Sequence, residues 1–75
     1  MKKIGCIRCI PIEKIGIGKW EFCRFPGGRI VVYKINDDKE ESVVGEYKNV
    51  GELKSLGPKI GFYGADLSFV CRFLS

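Results

Sequence analysis

The sequence predicts a mainly β domain: a small antiparallel barrel, SH3-like or OB-like, of five to six strands with one short helix near residues 50–56. Three observations carry this. Between Lys19 and Lys48 lie three runs rich in Val, Ile, Phe, Tyr and Trp, separated by Pro26-Gly27-Gly28 and by Asn36-Asp37-Asp38-Lys39, the pattern of a β-meander. Ten glycines in 75 residues favour turns and bulges over helices. Both faces of the meander carry large apolar side chains, so the sheet must curl on itself or be covered. The alternative is an α+β arrangement, an antiparallel sheet with a helix packed on one face. A homodimer that covers the second face is a further expectation.

In the N-terminal run from Lys3 to Ile12, Ile4, Cys6, Arg8, Ile10 and Ile12 alternate against Gly5, Ile7 and Cys9, as in a first strand that stops near Pro11. Gly16-Ile17-Gly18-Lys19 lacks the remaining glycine and the helix of a phosphate loop, and reads as a turn before a strand. In the meander, two-residue turns at Gly27-Gly28 and Asp37-Asp38 would set Cys23 opposite Val32 and Val43. Lys34 would then fall between Glu21 and Glu41. Asn49 with Glu52 three residues on is a capping box, and Val50, Leu53 and Leu56 form one apolar stripe. Gly57 is the expected left-handed stop, and Pro58 bars continuation. From Lys59 the alternation of Ile60 and Phe62, then Leu67, Phe69, Cys71 and Phe73, across Gly64-Ala65-Asp66, favours a hairpin. A helix from Leu67 capped by Asp66 is the other reading.

One chain of 75 residues makes a single domain, 1–75, whose core leaves only about 3–5 kcal/mol of net stability. A staple is therefore worth seeking: a disulfide, a metal or a partner. Charged residues interrupt every apolar run before membrane-spanning length, so no membrane association is expected. The start Met1-Lys2-Lys3-Ile4 resembles that of a signal peptide, but Arg8, Pro11, Glu13 and Lys14 follow it, and a cytoplasmic chain is expected.

The chain has no His, which removes the commonest general base and every His-containing metal site. Its paired carboxylates, Asp37-Asp38 and Glu40-Glu41, fall in or beside a turn. An enzyme is not expected. Residues 1–34 hold eight Lys/Arg against two Glu, whereas residues 35–75 hold five against seven Asp/Glu. On the basic side Trp20, Phe22, Phe25 and Tyr33 interleave with cations. This pattern predicts a small binding module that engages nucleic acid through its N-terminal half. Arg8, Lys19, Arg24 and Arg29 would contact phosphate, and Trp20 would stack on a base. The alternative is a protein-interaction or inhibitor subunit whose protein partner docks on an exposed sheet face or edge strand.

Cys6, Cys9, Cys23 and Cys71 match a closed zinc site in number, which gives a second alternative, a zinc-stabilised mini-domain. The spacing counts against it. In a regular strand, residues three apart project to opposite faces, so Cys6 and Cys9 would diverge, and no second CxxC answers them. Buried thiols and no cofactor are therefore expected, with disulfides joining Cys6 or Cys9 to Cys23 or Cys71 as the other option.

Overall fold

The computed structural model describes residues 4–16 and 18–75. Its strands are β1 (Arg8–Lys14), β2 (Gly18–Arg24), β3 (Ile30–Ile35) and β4 (Glu41–Tyr47), and its helices are α1 (Val50–Leu56) and α2 (Gly64–Leu74). The strands form one antiparallel sheet in the order β1-β2-β3-β4, an up-and-down meander whose outer strands do not meet. The fold is thus α+β with an open sheet. The expected barrel of five to six strands does not form, because the C-terminal segment supplies a helix where two of its strands were needed.

The helices cover one face. Ile10, Trp20, Phe22, Ile30, Val32 and Tyr47 from the sheet pack against Leu53 of α1, Phe62, and Leu67, Val70, Cys71 and Leu74 of α2. Phe62, between the helices, meets Trp20 edge-on at 5.0 Å and Phe22 at 4.8 Å between ring centroids. Burying a side chain of this size stabilises by about 1.5–3 kcal/mol, so this layer supplies most of the folding free energy. On the opposite face Cys23, Phe25, Val31 and Tyr33 form a smaller cluster, with Cys6 and Cys9 packed against it. Both clusters are therefore covered from within the chain. Among the described residues, no helix is long and apolar enough to cross a membrane.

The strand order agrees with the sequence, but the register differs by one residue. Cys23 lies opposite Val31 and Phe22 opposite Val32, and Lys34 faces Ser42. The β2–β3 and β3–β4 hairpins close with three-residue loops: the Phe25 N–H donates to Arg29 O, and the Asn36 N–H to Glu40 O. One added loop residue shifts every partner by one position, which exchanges the faces that meet. A bulge then leaves Val44 extra, since Val32 faces Gly45 while Tyr33 faces Val43.

Lys39 takes the left-handed position of the second loop, at φ 67, where a side chain costs about 1–2 kcal/mol. Lys39→Gly is expected to raise stability by about 0.5–1 kcal/mol, since glycine's greater unfolded-state entropy offsets part of the relief. Urea unfolding checks this; a lowered midpoint would contradict it.

β1 does not stop at Pro11 but runs through it to Lys14. The bond from Phe25 N to Arg29 O places the odd residues of β2 toward β3, so the even residues bond β1. Pro11, opposite Glu21, therefore has its missing N–H on the outer side of an edge strand, where proline is tolerated. Ile15 and Gly16 lie in a turn after β1, and Gly18 and Lys19 already belong to β2, with Ile17 outside the described residues.

The expected helix is present at α1. Asn49 Oδ1 accepts from Glu52 N at 2.8 Å, and Glu52 Oε1 accepts from Lys48 N at 3.1 Å. Gly57, however, is right-handed (φ −51), and a 3-10 turn carries the chain to Gly61, where φ reaches 94. Gly57 answers a close approach instead: a Cβ there would lie 2.7 Å from Leu67 Cδ1, so it lets α1 and α2 meet.

The expected C-terminal hairpin is a helix that begins earlier than Leu67, with Tyr63 as N-cap. Leu67, Val70, Cys71 and Leu74 recur at helical spacing and are all buried, whereas Phe69 and Phe73, which suggested a strand, are exposed. Asp66 lies in the first turn and pairs with Lys14 at 2.6 Å, tying α2 to β1.

Candidate metal centre

Cys9 and Cys23 occupy facing positions of β1 and β2. Because the even pairs carry the hydrogen bonds, this odd pair is a non-hydrogen-bonded one, the position where facing side chains come closest. Cys6 reaches them from the segment before β1. Gly5 is left-handed at φ 86, and the chain bends at Ile7, whose N–H donates to Arg24 O at 2.7 Å. Cys6 is thus outside the strand, and the expectation that Cys6 and Cys9 would diverge fails. Their sulfurs lie 2.8 Å apart, and the Cys6 thiol donates to Arg8 O at 3.0 Å.

The Sγ atoms of Cys6, Cys9 and Cys23 all lie within 4.8 Å of one another. The expected four-cysteine set is not assembled. Cys71 belongs to α2, in the core on the other face of the sheet. None of the four cysteines is in a disulfide.

Burial divides the trio. Cys23 is fully buried, while Cys6 and Cys9 are half-buried. Burial first, then the adjacent Cys9 and Cys6, push the Cys23 thiol well above its usual range. Burial, followed by Cys23, Cys6 and Cys9, likewise raises Tyr33 beside them. A cation would oppose this, since a coordinated thiol gives up its proton. A zinc ion with sulfur at about 2.3 Å sets tetrahedral sulfurs ~3.8 Å apart, a spacing inside the limit these three sulfurs already satisfy. Accommodating it requires Cys6 and Cys9 to part by about 1 Å, a side-chain rotation.

Cys71 is also raised by burial, which outweighs Lys54 acting in the opposite direction. Thiol labelling of the metal-free protein at neutral pH should show two fast groups, Cys6 and Cys9, and two slow ones, Cys23 and Cys71. Four equal rates would contradict the burial pattern.

Of the residues expected to bind nucleic acid, Trp20, Arg8, Arg24 and Arg29 each make contacts within the chain. Trp20 is only 7% exposed and packed on Phe62, so it offers no face to a base. Arg8 donates to Phe73 O at 3.0 Å and Ser75 O at 3.5 Å, and Arg24 to Leu74 O at 2.9 Å. Both arginines satisfy carbonyls at the end of α2 and suit its dipole. Arg29 lies over the Phe25 ring at 4.7 Å and meets Glu46 at 3.4 Å. Lys19 is exposed, but at the far end of the sheet from these arginines. The open hollow beside it is lined by Glu13, Asp37 and Asp38 as well as Lys19, Lys34 and Lys39, so it presents no field of one sign.

No protein-family model, curated protein or solved structure matches this chain.

Proposed function

We propose that this chain is a small non-enzymatic domain that holds a zinc ion through the thiolates of Cys6, Cys9 and Cys23. The observation that carries the reading is the convergence of three sulfurs within 4.8 Å on one face of the sheet. Thiolates select soft or borderline cations such as zinc. Two ligands come from a rigid strand pair and the third from the segment before β1, so the ion would fasten that segment to the sheet. A domain of this size gains from such a staple. Three protein ligands leave the fourth position to water or an exogenous donor.

Cobalt(II) titration tests this. The wild type should take up one ion per chain, with a thiolate-to-cobalt charge-transfer band that zinc abolishes. Cys71→Ala should keep the band. Cys23→Ser should lower affinity by more than the ~10–100-fold that loss of an outer-shell partner costs. No such band in the reduced wild type, or its loss in Cys71→Ala while that variant stays folded, would refute the assignment.

A further inference from the structure

Within the thiol trio, two sulfurs differ from the third in both contact and access. Cys6 and Cys9 touch at 2.8 Å, and a disulfide needs only a further closure to about 2.05 Å. Both are half-buried, so a small oxidant reaches them, whereas Cys23 has no exposed surface. Cys6 precedes β1, and the Ile7 N–H to Arg24 O bond holds the chain just after it. Its side chain therefore turns without breaking a ladder bond.

We propose that Cys6 and Cys9 are a reversible modification site. They form an intramolecular disulfide by exchange with a low-molecular-weight disulfide of the glutathione class, and its formation releases the bound zinc. The release step rests on the zinc reading above; the disulfide does not.

The exchange balances. The Cys6 sulfur attacks one sulfur of oxidised glutathione, forming a mixed disulfide and expelling one glutathione thiolate, which takes its proton from Cys6 in the metal-free protein and from solvent in the zinc-loaded one, where Cys6 is already a thiolate. The Cys9 sulfur then attacks Cys6 Sγ, forming the Cys6–Cys9 bond and expelling the second glutathione, which takes its proton from Cys9 in the metal-free protein and from solvent in the zinc-loaded one. Two electrons pass from the cysteine sulfurs to the oxidised glutathione. Zinc leaves in its original oxidation state, having lost two of its three protein ligands. Cys23 remains alone, too deep in the sheet to hold the ion.

The chain supplies its own assay. Arg8 lies between Cys6 and Cys9, so trypsin separates them into peptides 4–8 and 9–14, with Cys23 and Cys71 on two others. Metal-free and zinc-loaded full-length protein are equilibrated in glutathione buffers of increasing oxidised fraction, then alkylated, digested and weighed. A chromophoric chelator reports free zinc. The expected result is one disulfide per chain joining peptides 4–8 and 9–14, reversed by dithiothreitol, with Cys23 and Cys71 alkylated. In the loaded protein one zinc per chain is freed in step with it. Cys9→Ser should arrest at a stable glutathione adduct on Cys6.

A Cys9–Cys23 disulfide, glutathione adducts that persist in the wild type, or no oxidation at all would overturn the proposal. Zinc retained by chains that carry the Cys6–Cys9 disulfide would overturn the release step and leave the zinc reading intact. If the reduced protein takes up no zinc when it is offered and still forms the Cys6–Cys9 disulfide, the zinc reading and the release step fall and the disulfide alone is established.

Discussion

Phe62→Ala should leave most of the chain unfolded at room temperature. Phe62 is fully buried and makes edge-to-face contacts with both Trp20 and Phe22, so it is the point where the helices meet the sheet. Truncating a buried Phe costs about 3–5 kcal/mol, and two edge-on pairs worth ~0.5–1.5 kcal/mol each place Phe62 toward the upper end of that range. The net stability of a domain this size lies in the same range. Trp20 is the only tryptophan, and it is buried against the deleted ring, so its emission reports the loss directly. The variant should emit like the urea-unfolded wild type. Phe62→Leu retains much of the volume and should remain folded with a lowered midpoint. Native-like emission from Phe62→Ala would show that the helices hold to the sheet without this contact.

The second large effect is metal-dependent. Zinc at 100 times its dissociation constant stabilises a one-site protein by about 2.7 kcal/mol. In a domain of 60–100 residues each kcal/mol moves the melting temperature by about 4–8 °C, so zinc should raise it by ~10–20 °C. Excess chelator should remove the gain. Cys23→Ser should melt at the same temperature with and without zinc, while Cys71→Ala should start lower but keep the full zinc increment. The separation follows from where the two cysteines lie: Cys23 faces the trio, and Cys71 faces the helix-side core. An unchanged wild-type melting temperature in saturating zinc would contradict the site.

The sequence made the meander legible because its strands are apolar and its loops polar, but it misled on register. Gly27-Gly28 and Asp37-Asp38 each suggest a two-residue loop. The chain instead uses Pro26-Gly27-Gly28 and a loop in which Lys39 takes the left-handed conformation. Period-two patterning cannot detect this where both faces of a strand are apolar, as in Ile30-Val31-Val32-Tyr33. The tail misled for a related reason. Phe69, Cys71 and Phe73 alternate, yet Leu67, Val70, Cys71 and Leu74 also recur at helical spacing, and that second set is the one buried.

The thiol site was hidden by the same kind of assumption. A strand drawn straight through Cys6 and Cys9 separates them, and only the bend at Ile7 brings them together. Gly5 was the one local sign of that bend. Cys23 joins them through strand pairing, which no spacing along the chain could show. The nucleic-acid reading depended on Trp20 being exposed. Its burial, with Arg8 and Arg24 committed to the end of α2, leaves a charge asymmetry that the pairs Lys14–Asp66 and Arg29–Glu46 partly close.

X-ray absorption at the zinc edge of the reduced, zinc-loaded full chain tests the central claim most directly. Three sulfur scatterers at about 2.3 Å with one oxygen or nitrogen at ~2.0–2.2 Å are the predicted shell. A shell of oxygen and nitrogen alone would contradict the account, and so would four sulfurs, which would require Cys71 or a second chain.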